Sequence, residues 1–282
     1  MQKIKLIECP RDAMQGWKTF IPTEKKIEYI NKLLEVGFDT LDFGSFVSPK
    51  AIPQLADTKE VIPKIKMTTT KLLAIIANKR GAEDAVVYDE ITYLGFPFSI
   101  SETFQKLNTN STIEESLKTV YSIQELCLQK NKQLVIYISM GFGNPYGDPY
   151  NNEVAIHWVE KLQNIGIKIF AMSDTVGVSN PENIAYIFSH LNKAFPHLEF
   201  GAHFHSTHEK ATEKINSALA NNCFRFDSAI GGIGGCPMAQ DELVGNIATE
   251  VLIRTLEENK IKSGLNYDKL KEAQEISSQI FI

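Results

Sequence analysis

The sequence has no long apolar run, no closely spaced cysteine pair and no surplus of positive charge. Each absence removes a class of function. No apolar stretch approaches the roughly 18 residues that a membrane-spanning helix needs, so no membrane partner is expected. Lys and Arg are outnumbered by Asp and Glu, 29 to 34, for a net charge of -5. A field of that sign gathers neither nucleic acid nor anionic lipid, so no nucleic-acid partner is expected and any anionic substrate must be held locally. The four cysteines, Cys9, Cys127, Cys223 and Cys236, include no Cys-x-x-Cys pair, which argues against a disulfide framework and a zinc knuckle. Met1 leads almost at once into the apolar residues of 4–7, and with this cysteine usage the expected location is a reducing cytoplasm.

Pro/Gly/Ser-rich linkers and single-sign charge runs are missing as well, so the 282 residues, 43% apolar and 22% charged, are expected to form one domain, 1–282. Short β-rich apolar runs alternate with longer stretches of helical period, the pattern of βα units around a parallel sheet. Strands are expected at 4–9, 38–43, 72–77, 90–94, 134–140, 168–173, 199–204 and 225–229. Helices are expected near 23–36, 55–63, 79–86, 112–130, 150–165, 180–194, 208–222 and 241–258. Eight alternations favour a closed (β/α)8 TIM barrel, with its core at about 4–258 and a carboxy-terminal extension, 259–282, that carries an extra helix.

In such a barrel the chemistry sits at the carboxy-terminal strand ends. Strand one delivers Arg11 and Asp12, strand two Asp42, strand six Asp174, strand seven His203 and His205, and strand eight leads to Cys236 and Asn246. His203 and His205, two apart on a strand, share a face and can offer two imidazoles to one metal; a core or solvent-facing pair is the alternative. Asp12 adds an anionic oxygen and Asn246 an amide oxygen, a donor set suited to Mg²⁺ or Mn²⁺, with Zn²⁺ still open. Arg11 reads either as a structural partner of Asp12 or as an electrophile for a developing oxyanion. Asp174 reads either as an orienting acid or as a loop cap.

The four glycines in 231–235 ahead of Cys236 suggest a loop that flexes or approaches something closely, or else a phosphate cradle. Cys236 is then either a proton donor or base over the metal, or an inert thiol. Phe46, Phe96, Phe98, Phe142 and Tyr146 are expected on loops, walling the pocket or covering the barrel rim. Lys50, near the end of strand two, is a candidate for substrate phosphates. Cys127 and Cys223 read as core residues, and His157, His190, His197 and His208 carry no expected role.

Several motifs together resemble one family. Pro10-Arg11-Asp12-x-x-Gln15, Ser45-Phe46-Val47-Ser48-Pro49-Lys50, Asp174-Thr175-x-Gly177, the His203/His205 pair, Gly232-x-Gly234-Gly235-Cys236-Pro237-x-Ala239-Gln240 and Gly245-Asn246-x-Ala248-Thr249-Glu250 are similar to those of 3-hydroxy-3-methylglutaryl-CoA lyases. The resemblance implies metal-dependent cleavage of that acyl-CoA to acetyl-CoA and acetoacetate. It further implies a divalent cation on Asp12, His203, His205 and Asn246, Arg11 stabilising the enolate, and catalytic parts for Asp42, Asp174, His203 and Cys236. A homodimer is the common expectation for such barrels.

This chain departs from the family pattern in several places. Asp42 stands where the family usually has Glu, Ser206 follows His205 where Asp is usual, and Cys9 and Ala13 replace glycines. The segment 241–244 is one residue longer than usual. A different acyl group on a 3-hydroxyglutaryl-CoA skeleton is compatible with these changes. The rivals are a Claisen-type synthase joining an acyl-CoA to a 2-oxo acid, and a barrel kept as a binding scaffold.

Overall fold

Each of the eight β-rich runs forms a strand, because β-branched and aromatic residues there can be buried on both faces of a parallel sheet. The computed structural model describes residues 3–235 and 244–282. The elements run β1 (Lys5–Glu8), α1 (Pro10–Gln15), α2 (Thr23–Leu34), β2 (Thr40–Ser45), α3 (Thr58–Val61), β3 (Lys71–Ile75), α4 (Lys79–Ala85), β4 (Ile91–Ser99), α5 (Glu102–Thr109) and α6 (Ile113–Gln129). They continue with β5 (Gln133–Ser139), α7 (Asn152–Gln163), β6 (Ile169–Asp174), α8 (Pro181–Ala194), β7 (Glu199–Ser206), α9 (His208–Ala220), β8 (Arg225–Ser228), β9 (Gly245–Asn246), α10 (Thr249–Glu258) and α11 (Tyr267–Ile280). Neighbouring strands from β1 to β8 pair in parallel and in order, and β1 pairs with β8 from Lys5↔Arg225 to Glu8↔Ser228, which closes the barrel.

The helices close over the barrel with one apolar stripe each. On α8, Ile184, Ile187, Phe188 and Leu191 follow helical spacing and are fully buried, each contributing about 1.5–3 kcal/mol by removal from water. The extra carboxy-terminal helix, α11, lies against α2, and Phe281 just beyond it meets Trp17 and Tyr29 edge-on at ring distances of 5.2 and 6.3 Å. None of the described helices is long and apolar enough to cross a membrane.

The structure redraws four local expectations. Pro10 starts a short helix at once, so Arg11 and Asp12 project from the first turn of α1 rather than from the end of strand one itself. The strand expected to stop at 94 runs on to Ser99, which places Phe96 and Phe98 in the packed core instead of on a loop. A further helix, α5, follows it, with the Ser101 side chain accepting from the Phe104 amide at 3.2 Å. The helix expected from 241 begins at Thr249, and β9 pairs antiparallel with β7 in the register His205↔Asn246.

The barrel interior is split by polarity. Leu73, Ile75, Tyr93, Val135, Tyr137, Ile169 and Ala171, from β3 to β6, form one apolar cluster. Across from it β8 sends Arg225 and Asp227 inward. Gly201 on β7 makes room for the first of them, since a Cβ there would stand 2.7 Å from Arg225 Cδ.

A buried carboxyl joins the first and last units. Glu8 accepts from the Ile230 amide at 2.8 Å and lies 2.6 Å from Thr249 Oγ1, which is itself 2.9 Å from Ser228 Oγ. One hydroxyl has one proton to give. Burial pushes the Glu8 carboxyl up to about 8, and the neutral acid can donate to Thr249 while Thr249 donates to Ser228. The folded chain then keeps a proton that the unfolded chain loses, so stability falls as pH rises from about 4.5 to about 8, with a slope approaching about 1.4 kcal/mol per pH unit. Glu8→Gln, whose amide N–H replaces the acid O–H, is expected to flatten that slope in urea unfolding at several pH values. An unchanged slope would show that Glu8 is not its source.

Candidate active site at the carboxy-terminal mouth

The site is organised around a buried guanidinium. Arg11 Nε lies 3.0 and 3.2 Å from the two Asp42 oxygens, and Nη2 donates to Asp42 at 2.5 Å. Its Nη1 donates to Asp12 at 2.8 Å and to Gln15 at 2.9 Å, and Gln15 Nε2 closes the ring by donating to Asp12 at 2.7 Å. An arginine has five N–H groups, so one on Nη2 remains uncommitted among the described residues. Burial opposes the charge on Arg11, but Asp42 and Asp12 outweigh it and raise its pKa. For Asp42 burial wins against Arg11 and pushes the carboxyl up to about 6.

Asp12 also meets the histidine pair. Asn246 Nδ2 donates to Asp12 at 2.6 Å and to the Ile233 carbonyl at 3.0 Å. Burial disfavours the Asp12 carboxylate, yet Arg11, His203, His205 and Asn246 together hold its pKa below the usual value. His203 Nδ1 lies 3.2 Å from Asp227, and His205 Nδ1 lies 2.9 Å from the Thr175 carbonyl, which leaves both Nε2 atoms for another partner. Desolvation lowers the pKa of both imidazoles; in His203 the Asp227 carboxylate outweighs it, whereas in His205 the neighbouring His203 adds to it.

One ligand atom each from Asp12, His203 and His205 falls within 4.8 Å of the others, and His205 Nε2 is buried without a hydrogen-bond partner among the described residues. An orphaned imidazole nitrogen beside an ionised carboxylate is what a divalent cation would satisfy. Cys9, His203 and Asp227 form a second close group. It is the poorer host, because burial and three nearby carboxylates raise the Cys9 thiol well above its ordinary pKa, which keeps it from offering a thiolate.

A cavity of about 460 Å³ opens over these groups, lined by Arg11, Asp12, Gln15, Tyr137, Ser139, Ser173, Thr175, His203 and His205 on its polar side. Val47, Ile52, Ile75, Pro97, Phe104 and Leu107 form the apolar wall. Asp42 does not line it; the carboxylate stands behind Arg11 and aims it. Asp174 is absent as well. Successive strand residues face opposite ways, so Ser173 and Thr175 face the cavity while Asp174 turns outward to Lys214 Nζ at 2.7 Å and Ser179 Oγ at 2.5 Å. Asp174 is therefore an internal anchor rather than an acid at the reacting centre.

Other expectations shift too. Phe142 packs on Phe204 and Tyr146 on Phe104, so the aromatic lining comes instead from Tyr137 and Phe104. Lys50 is exposed and outside the cavity wall. Cys236 lies outside the described residues. The glycines before it approach the centre closely: a Cβ on Gly234 would be 2.5 Å from Asn246 Nδ2 and 3.0 Å from the Asp12 carbonyl. The Ile230 and Gly231 amides that open this segment are bound to Glu8 and Glu250, so they are not free to cradle a phosphate. Ser206 donates to the Thr207 carbonyl at 2.9 Å, and His205 is oriented by Thr175 instead.

With this geometry in place, a family model described as HMGL-like matches residues 3–276. The chain belongs to the HMGL-like family. It is 33% identical over 268 residues to the hydroxymethylglutaryl-CoA lyase of Bacillus subtilis, covering 94% of this chain and 88% of that one. It is 33% identical over 276 residues to the mitochondrial hydroxymethylglutaryl-CoA lyase of Homo sapiens, covering 96% and 84%. The structure of an HMG-CoA lyase from Acinetobacter baumannii in complex with coenzyme A and 3-methylmalate matches with a TM-score of 0.92 and 32% identity, over 99% of this chain and 91% of that one. This HMGL-like chain is a carbon–carbon lyase with a residue cluster suited to a metal.

Asp174→Ala strands Lys214, which is fully buried, with only the Gly177 and His205 carbonyls as acceptors among the described residues. The expected loss is about 3–5 kcal/mol in urea unfolding, much of it recovered in Asp174→Leu/Lys214→Met. Unchanged stability with abolished turnover would restore a chemical role to Asp174.

Proposed function

We propose that the protein cleaves 3-hydroxy-3-methylglutaryl-CoA, or a close 3-hydroxyglutaryl-CoA analogue, releasing acetyl-CoA and, from the former, acetoacetate, with Mg²⁺ or Mn²⁺. The observation that carries this is the convergence of Asp12, His203 and His205 beside the anchored Arg11 in one cavity of an HMGL-like chain. A divalent cation held by Asp12, His203, His205 and Asn246 supplies a Lewis acid for the substrate oxygens.

The remaining roles belong to the side chains. Asp42 and Gln15 fix the guanidinium, so the free N–H of Arg11 is preorganised for the enolate oxygen that develops on the acetyl-CoA fragment. One such donor in a water-poor site is worth about 3 kcal/mol in the transition state. Asp227 and the Thr175 carbonyl hold the two imidazoles in the tautomers that present Nε2. The apolar wall suits the methyl-bearing acyl chain and limits water at the carbanion. Cys236, by the family resemblance, exchanges a proton with the product fragment. The buried free thiols Cys9, Cys127 and Cys223 suit work in a reducing compartment, which we take to be the cytoplasm. The two relatives compared above are lyases, so cleavage is preferred to the synthase direction.

Acetoacetate release from 3-hydroxy-3-methylglutaryl-CoA is expected to require added Mg²⁺ or Mn²⁺ and to stop on chelation. Asp12→Ala and His203→Ala should each lower turnover by at least about 10³-fold, and Arg11→Met by about 10²–10³-fold. Cys236→Ala should lower turnover while leaving metal affinity nearly intact. Metal-independent activity, or full activity in both ligand variants, would overturn the mechanism. A panel of 3-substituted glutaryl-CoAs reads out the acyl group.

A further inference from the structure

The opposite, amino-terminal mouth of the barrel holds a second cavity, of about 530 Å³. Its wall is built from the first residues of several strands, among them Lys5 of β1, Glu199 of β7 and Arg225 of β8, with Lys3 and Lys168 on the rim. Four cations thus face one carboxylate, in a chain whose overall charge is -5. Glu199 is already engaged by Lys5 at 2.5 Å and by Arg225 Nη1 at 3.4 Å.

Arg225 is the informative residue. It is 2% exposed, yet its Nε and Nη2 have no hydrogen-bond partner among the described residues. A buried guanidinium with idle donors is costly unless something accepts from them. Gly201 is kept small to let this side chain lie in the barrel. The guanidinium fork matches two oxygens of one phosphate, and the rim lysines add point charges around it. The half-buried Phe224 at the wall offers an apolar surface to an organic body attached to the phosphate.

We propose that this basal cavity binds a small phosphate-bearing anion, separately from the acyl-CoA mouth. Arg225 and Lys5 hold the phosphoryl oxygens, and Lys3 and Lys168 neutralise further charge.

Titration calorimetry of inorganic phosphate into the full chain, at low ionic strength with Mg²⁺ present, tests this. Saturable binding is expected. Lys3→Glu/Lys168→Glu should weaken it by at least about tenfold, while Lys118→Glu/Lys130→Glu, the same charge change on and just after α6, should alter it by less than about twofold. Acetoacetate-forming activity without phosphate should be unchanged in the rim pair, which separates this cavity from the catalytic mouth. Arg225→Met should abolish binding; if that variant does not fold, the exposed pair still decides. Absence of saturable binding, or equal weakening in both charge-reversed pairs, would overturn the proposal.

Discussion

Burying a guanidinium at the floor of a cavity, where almost none of the side chain meets water, demands fixed counter-charges, and the mouth is arranged to meet that demand. Asp42 takes Nε and Nη2 of Arg11, and Asp12 and Gln15 take Nη1. This ties the first turn of α1 to β2. The pair of carboxylates exceeds the one guanidinium by a negative charge, and that excess lies on Asp12, where both imidazoles and Asn246 converge. The same carboxylate therefore closes a structural ion pair on one side and faces a candidate cation on the other. Moving Asp12 would disturb both.

Much of the architecture was legible in the sequence because burial on a parallel sheet and burial on a helix leave different periods. His203 and His205 were legible for a related reason: two residues apart on a strand they share a face. The same rule, applied to Ser173-Asp174-Thr175, would have chosen the two hydroxyl residues rather than the acid. Asp174 drew notice for its chemistry, but its partner Lys214 sits forty residues on in α9, and no local pattern pairs them. Asp227 escaped notice in the same way, since its link to His203 is made between neighbouring strands, twenty-four residues apart in sequence.

Short elements were the other blind spot. The two-residue strand β9 carries no periodicity, and its pairing with β7 is what sets Asn246 opposite His205. Helix α5 had one local signal, a serine before Glu102 that caps it, yet Phe104 and Leu107 reached the cavity wall unforeseen. Extended β4 hid Phe96 and Phe98 in the core, where aromatic residues after a short apolar run had suggested loop positions.

The glycine at position 201 and the arginine at 225 come from different strands but occupy one volume. Neither can vary alone: a larger residue at 201 evicts the arginine, and a smaller one at 225 opens a void beside the glycine. Among HMGL-like chains the two positions should therefore change as a linked pair. Chains that fill 201 with a side chain should also lack the charge at the barrel base.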